Sequence, residues 1–491
     1  LGAVPRGDGT AEICVWAPDA GSVVLRSDQD VELEREGEYL VGNFGGTDYV
    51  LVVDGQAWPD PCSRWQPEGV TGPTRVLDSA AFEWSDDGWR GLSLDELVIY
   101  ELHVGTFSEE GTFEGVVPRL RGLSELGVGA IELMPVATFP GARGWGYDGL
   151  YTYAAHPAYG GPHGLARLVD AAHAAGLGVI LDVVYNHVGP GNEALTAFGP
   201  YFTDRHETFW GDALDYAQRG VREWAIQNAE QWVRDFHVDG LRLDAVHAIY
   251  DDSPVHVCAE LKHRVGDALV ISEMENDDWR PIEEWGHDAQ WADRSHHELH
   301  VLLTGERDGY YADFGSVSSL AEDLAGRGHD PRRLVICAQN HDQVGNRAVG
   351  DRLPEDALRV AAAVTLFSPC TPLLFMGEEW LETAPFQFFT DHIDPSIAEA
   401  TREGRKREFE DFAAFSGQEV PDPQALETFL RSKLHPREPD PLYRELLALR
   451  RELPRELDAE ADDETKVLRL RRGDATLVAD FGNRRVEFSR G

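Results

Sequence analysis

Residues 178–188 read GVILDVVYNHV and residues 239–246 read DGLRLDAV, and the fold is decided by what these two stretches share. Each begins as an apolar run and turns polar toward its C-terminal end, the first at Asn186 and His187, the second at Arg242 and Asp244. The same shape recurs in LVIYELHV (97–104), AIELMPV (130–136), ALVISEM (268–274), LVICAQNHD (334–342) and PLLFMGEE (372–379). Amphipathic stretches of helical period lie between them, such as GLARLVDAAHAAG (164–176) and VREWAIQNAEQWVRDF (221–236). Buried parallel strands alternating with helices imply an α/β barrel or a doubly wound sheet. Polar strand ends favour the barrel, whose enzymes assemble their sites from several strands at once. A doubly wound dinucleotide-binding sheet needs a Gly-rich turn after its first strand, and the sequence has none. The expectation is a (β/α)8 TIM barrel over residues 91–435, with a long irregular excursion from 189 to 218.

Outside this region the pattern changes. Residues 1–90 carry short β segments, AEICVWAPDA, SVVLRS and DYVLVVDG, separated by Gly- and Pro-rich turns. They predict an immunoglobulin-like N-terminal β-sandwich, ending in the proline-punctuated stretch Pro59 to Asp78. Residues 381–435 read as loops and short helices, and DPLYRELLALRREL (440–453) as a helix. TKVLRLRRG, ATLVADFG and RRVEFSRG then alternate, so residues 436–491 are expected to form a helix and a small C-terminal β domain.

A chain of 491 residues exceeds what a single core accommodates, in agreement with one large domain and smaller satellites. Its 87 acidic residues outweigh 44 basic ones, for a net charge of -43, and only Lys262, Lys406, Lys433 and Lys466 are lysines. Such self-repulsion suits high salt, where a Debye length of about 3 Å screens it. Nucleic acid is excluded as a partner. No apolar run reaches the ~20 residues of a membrane span, and residues 1–20 lack a secretory pattern, so a soluble cytoplasmic protein is expected. Cys14, Cys62, Cys258, Cys337 and Cys370 are scattered, which suggests neither a disulfide framework nor a zinc site. No metal or other cofactor is expected.

The strand ends supply carboxylates. A retaining glycosidase needs two carboxyl groups about 5 Å apart, one attacking the anomeric carbon and one protonating the leaving oxygen. Asp244 and Glu273 end neighbouring strands and so can face each other across a barrel mouth. Arg242, two residues before Asp244, shares its strand face and is placed to keep that aspartate ionised, although a buried strand-end salt bridge reads the same way. Glu273 follows the apolar LVIS, where a carboxyl is expected to hold its proton to higher pH, as a general acid requires. Glu275, two residues on, is its rival. Asp342 sits beside Asn340 and His341, in a motif that also fits a helix cap.

Taken together, Asp182 to His187 (DVVYNH), Gly240 to Asp244 (GLRLD), Ile271 to Glu273 (ISE) and Asn340 to Asp342 (NHD) resemble, in order, the four short regions of the α-amylase superfamily, glycoside hydrolase family 13. The resemblance implies a glycosyl-enzyme intermediate on Asp244, proton transfer by Glu273, and Asp342 holding a distorted sugar that His187, Arg242 and His341 also contact. AEICVWAPDA is similar to the N-terminal β domain of branching, debranching and trehalohydrolase enzymes. FPGARGWGYDGLY (139–151), GPYFTDRHETFWGDALDY (199–216), PFQFFTDH (385–392), REGRKREF (402–409) and RSKLHP (431–436) resemble the malto-oligosyltrehalose trehalohydrolases specifically. That implies cleavage of the α-1,4 bond next to the terminal trehalose unit, with a malto-oligosyltrehalose synthase as functional partner. MENDDW (274–279) matches the family less closely, which keeps Glu275 open as the acid. A trehalose site needs polar groups and aromatic surfaces, for which Trp145, Tyr147, Phe386, Phe389, Asp391 and His392 are the candidates. A glucan branching enzyme is the alternative activity.

Overall fold

The computed structural model describes residues 1–275, 278–307, 309–410 and 419–491. Eight parallel strands close into a barrel: β1 (Ile99–Leu102), β2 (Ala130–Leu133), β3 (Gly178–Val183), β4 (Gly240–Leu243), β5 (Leu269–Ser272), β6 (Ala289–Trp291), β7 (Leu334–Cys337) and β8 (Thr371–Phe375). β8 returns to β1 with Leu373 opposite Ile99, which leaves the barrel without an edge. Helices α1 (Phe113–Leu126), α2 (Gly161–Ala174), α3 (Arg219–Asp235), α4 (Val257–Val265), α5 (Asp293–Thr304) and α6 (Glu355–Phe367) lie between the strands in sequence.

Six of the strands fall inside stretches the sequence marks, and β8 begins one residue before its own, at Thr371. β6 falls in none, because three residues within HDAQWAD are too few to display a pattern. The marked stretches also run too long. β3 stops at Val183 and β4 at Leu243, and beyond them the side chains of Asn186 and Asp244 bond to each other across the barrel mouth.

The N-terminal region forms two antiparallel sheets, one containing Thr10–Trp16 and Tyr39–Gly45, the other Val23–Arg26 and Asp48–Val53. Burial alternates along Asp48–Val53, as a half-buried strand requires, and Ile13, Val15, Leu25 and Leu51 join one core. The excursion after β3 holds a short helix (Glu193–Phe198) and a hairpin (Phe202–Thr208 with Gly211–Leu214). The expected loops and short helices of 381–435 include Pro395–Glu408 and Leu426–Arg431, while 411–418 lie outside the described residues. Helix α7 (Pro441–Glu452) precedes a four-stranded antiparallel meander, Asp458–Asp462 to Arg485–Arg490. Its first strand, DAEAD, went unmarked because alanine and acid alternate there without a bulky apolar residue. No described helix is long and apolar enough to cross a membrane.

The N-terminal region meets the barrel at several points, Leu1 at Gln227 and Arg64 at Asp235 among them, and one is a close packing of Trp16 on α3. Trp16 is 2% exposed, and its ring lies where Gly220 of α3 has no side chain. A Cβ at Gly220 would come within 2.1 Å of that ring. Helix propensity alone makes Gly220→Ala stabilising by about 1 kcal/mol, whereas overpacking at a closed contact is destabilising by about 1–3 kcal/mol. We expect the clash to win and the variant to unfold at lower temperature; an equal or higher Tm would mean that Trp16 yields freely.

Candidate active site

The pleat of the barrel strands builds the site in layers. Ile99, Ala130, Ile180, Leu269, Ile271, Ala289, Trp291, Val335, Cys337 and Leu373 form a separate apolar cluster that fills the barrel. Two residues further along a strand the same face returns, and those positions are Glu101, Glu132, Asp182, Glu273 and Asp293. Arg242 enters this acidic layer from β4, in register with Asp182 on β3.

Arg242 is fully buried and spends its guanidinium on three carboxylates. Nη1 donates to Asp182 Oδ2 at 2.7 Å and Asp244 Oδ1 at 2.8 Å, and Nη2 donates to Glu273 Oε2 at 2.7 Å. The Trp291 ring lies 4.1 Å from the guanidinium carbon and supplies a cation–π contact. Because one planar fork grips Asp244 and Glu273 together, their bound oxygens are separated by no more than two hydrogen bonds and the fork's width. That is within reach of the ~5 Å separation of a retaining pair.

Backbone detail sharpens the pair. The ladder extends one step beyond the strands, Asp244 N–H to Val183 O and Glu273 N–H to Leu243 O, both at 3.0 Å. Ala245 then turns at φ 39°, in the left-handed region a non-glycine residue adopts only under constraint, and its N–H donates to Glu273 Oε2 at 2.9 Å. The other oxygen of Asp244 accepts from Asn186 Nδ2 at 2.7 Å. Side-chain exposure rises from 9% at Asp244 to 18% at Glu273 and 30% at Asp342, so all three face the opening that Arg242 does not reach. Glu275 is exposed, and Arg242 pairs with Glu273 instead. Asn276 and Asp277 lie outside the described residues.

A second chain of contacts joins Glu101, His341, Tyr147 and Asp182. Glu101 accepts from the His341 N–H at 2.8 Å, and its other oxygen lies 2.5 Å from His341 Nδ1. His341 Nε2 meets the Tyr147 hydroxyl at 2.7 Å, and that hydroxyl donates to Asp182 Oδ2 at 2.6 Å. Burial opposes a charge on His341, but the Asp342 and Glu101 carboxylates override it and push the imidazole up to about 10. Burial, with Asp244 adding to it, pushes Asp182 up to about 7 despite Arg242. Burial, then Glu273 and Asp342, push Asp293 up to about 7. Glu132 is driven well above the carboxylate range by burial and by Glu101, and neither of its oxygens has a hydrogen-bond partner among the described residues.

The remaining sequence candidates divide. Tyr147 belongs to the cluster, and His187 lies beside it, its Nε2 3.1 Å from Tyr147 O. Trp145 is mostly buried, with its ring edge-on to His341 at 5.8 Å. Phe386 and Phe389 require correction, because both are fully buried and offer no face to a sugar. Phe386 stacks beneath Trp145 at 5.1 Å and Phe389 packs on Phe429, so they act as core support. Asp391 pairs with Arg143 at 2.6 Å and accepts from Ala142 N–H, which ties down the loop after β2. His392 Nε2 lies 3.8 Å from Asp148.

Sequence reasoning missed Glu101, Asp293, Trp291 and the outermost aromatics, Trp210 and Phe209, which are 47% and 96% exposed. Trp210 stacks on His187 with centroids 4.2 Å apart. The signal was present in ETFWGD, where two bulky aromatics interrupt a polar hairpin. Among the described residues no group of three or more His, Cys, Asp or Glu is placed to hold a metal ion.

The raised value of Asp182 has a sign that can be tested. Between the ordinary aspartate value of 3.8 and about 7 the folded protein keeps a proton that the unfolded chain has released. Stability from this group is therefore full below about pH 4 and is lost as pH rises through about 7, on the order of a few kcal/mol. Asp182→Asn retains an acceptor for Arg242 and Tyr147 while removing the titration. Its Tm should fall less than that of the unaltered chain between pH 5 and 8, whereas parallel profiles would show Asp182 ionised throughout.

The alpha amylase catalytic domain family matches residues 73–210. The malto-oligosyltrehalose trehalohydrolase of Arthrobacter ramosus is 44% identical, with 91% of this chain and 89% of the relative covered. That of Saccharolobus solfataricus is 43% identical, covering 89% and 84%. A solved structure from Salmonella typhimurium, named as an alpha amylase, superimposes with a TM-score of 0.89 at 37% identity, covering 97% of this chain and 92% of that one. Similarity to the branching enzyme of Geobacillus stearothermophilus is 32% and covers 48% of this chain and 42% of the relative. Full-length similarity to one group and partial similarity to the other settle the assignment, and the chain belongs to the malto-oligosyltrehalose trehalohydrolase family of α-amylase-type glycosidases.

Proposed function

We propose that this chain hydrolyses the α-1,4 bond adjacent to the terminal trehalose unit of malto-oligosyltrehalose with retention of configuration, releasing trehalose and a malto-oligosaccharide. The observation that carries the reading is the single Arg242 guanidinium shared by Asp244 and Glu273. Asp244 attacks the anomeric carbon while Glu273 gives its proton to the departing glycosidic oxygen. Glu273 then takes a proton from water, whose oxygen displaces Asp244 from the glycosyl-enzyme. Asp342 holds the distorted sugar, with His187, Arg242 and His341 around it. Asp293, which accepts no hydrogen bond from a described residue and lies near Glu273 and Asp342, offers an oxygen to a sugar hydroxyl.

On the product side, Trp145 and Tyr147 present ring edges to the trehalose. Asp391 and His392 act through the loop after β2, which Asp391 fastens by way of Arg143. The chain divides near residues 90 and 435, with the N-terminal sandwich serving as a carbohydrate-binding-like module. Its net charge of -43 suits the cytoplasm of a salt-rich cell, where a malto-oligosyltrehalose synthase supplies the substrate.

Product analysis on malto-oligosyltrehalose and on amylose, at low and high salt, tests the proposal. Trehalose should appear, faster at high salt, and Asp244→Asn should lower the rate by at least about 10³-fold. Branched amylose without trehalose would move the activity to a transferase, the reading that the partial likeness to a branching enzyme favours. Asp391→Ala, which loses both the ion pair and the Ala142 N–H bond, should raise KM for malto-oligosyltrehalose about tenfold, Arg143→Ala no more than that, and the double variant no further than Asp391→Ala. Additive losses would separate the two residues.

A further inference from the structure

The barrel carries acid at one end and an uncompensated positive charge at the other. Among the loops that enter β1, β2, β7 and β8, helix α7 and the C-terminal sheet lies a cavity of about 70 Å³. Five arginines line it, Arg332, Arg450, Arg451, Arg455 and Arg472, with Asp95 as the only acidic lining residue. Asp95 is already taken by Arg332 and by Arg455 at 3.2 Å. Among the described residues Arg450, Arg451 and Arg472 form no ion pair, and the one carboxylate that acts on any of them is Glu456, near Arg472.

Two of these cations are deeply placed. Arg472 is 3% exposed and donates to the carbonyls of Phe367 at 2.8 Å, Ser368 at 3.1 Å and Pro454 at 2.7 Å. Arg450 donates to the carbonyls of Leu366, Ser368 and Cys370, so both guanidiniums converge on Ser368 O. Burial lowers each to about 10, and the charge on Arg472 lowers Arg450 further. Arg451 makes no hydrogen bond or ion pair with a described residue, and Nη2 would stand 3.3 Å from a Cβ at Gly127. Backbone carbonyls neutralise no charge, and the like charges of Arg450 and Arg472 are costly side by side unless a counter-charge joins them from the exposed mouth, where Arg451 and Arg455 stand.

We propose that this cavity binds a small tetrahedral oxyanion of the phosphate class, free or as the head of a monoester. Arginine forks match such oxygens in pairs, and a cavity of this size admits a small ion. Bound there, the anion links α7 and the C-terminal sheet to the base of the barrel, far from the carboxylates that perform hydrolysis.

Thermal unfolding of the full chain tests this at fixed ionic strength, with sodium phosphate or glucose 6-phosphate replacing sodium chloride. One or both probes should raise Tm saturably by a few degrees. Arg451→Glu should raise the half-saturating concentration at least about tenfold. Arg121→Glu, at a position 87% exposed on α1, should leave it unchanged. A rise with inorganic phosphate alone would restrict the site to the free ion, and a rise with both would admit the monoester. No rise with either probe, or one that Arg451→Glu leaves intact, would overturn the proposal and reduce these arginines to carbonyl clamps.

Discussion

A guanidinium with no access to water must find counter-charges, and in this protein that requirement organises the carboxylate-bearing end of the barrel. Arg242 holds three carboxylates from three consecutive strands, and a Trp291 face closes its remaining side. Removing one partner from such a group strands the others, so the cluster stands or falls as a unit. Strand register supplies the geometry, since Asp182 and Arg242 are direct neighbours across β3 and β4. The left-handed turn at Ala245 is the local strain that this arrangement sustains, because it alone brings an amide to bear on Glu273.

Charge balance explains why the layer holds more acids than bases. Glu132, Asp182, Asp293 and Asp342 are all displaced upward, each chiefly by burial. Protons therefore settle first on the carboxyls that are deepest or least well served by donors, and Glu132, with no hydrogen-bond partner among the described residues, is the clearest of them. His341 remains charged for the opposite reason, being flanked by Glu101 and Asp342. The site sorts one kind of side chain into different protonation states by position alone, which acid–base chemistry at neutral pH requires.

How much of this was legible in the sequence depended on where the information lay. Barrel class and seven strands were readable, because apolar runs with polar ends are local. β6 was not, and Trp291 and Asp293 were lost with it. Asp244 and Arg242 were legible as a pair two residues apart on one strand. Glu101 was not, although LVIYELHV was marked, because the partner that gives it meaning, His341, lies 240 residues away. Phe386 and Phe389 failed in the reverse sense: composition supplies aromatic rings, and only packing decides whether a ring faces a cavity or, as here, supports Trp145 from below.

Salt acts differently on the two populations of charge. Exposed acids repel one another across water, and at molar salt a Debye length of about 3 Å removes most of that repulsion. The ion pairs around Arg242 are closed to solvent and are screened far less. A net charge of -43 therefore makes the stability of the fold depend on salt while leaving the geometry of the carboxylate cluster nearly independent of it. Loss of activity in dilute buffer would in that case be loss of folded protein, with the surviving molecules working at an undiminished rate. The barrel's closed hydrogen-bonding and buried layer give the chemistry a setting in which the surface can follow its environment without disturbing the site.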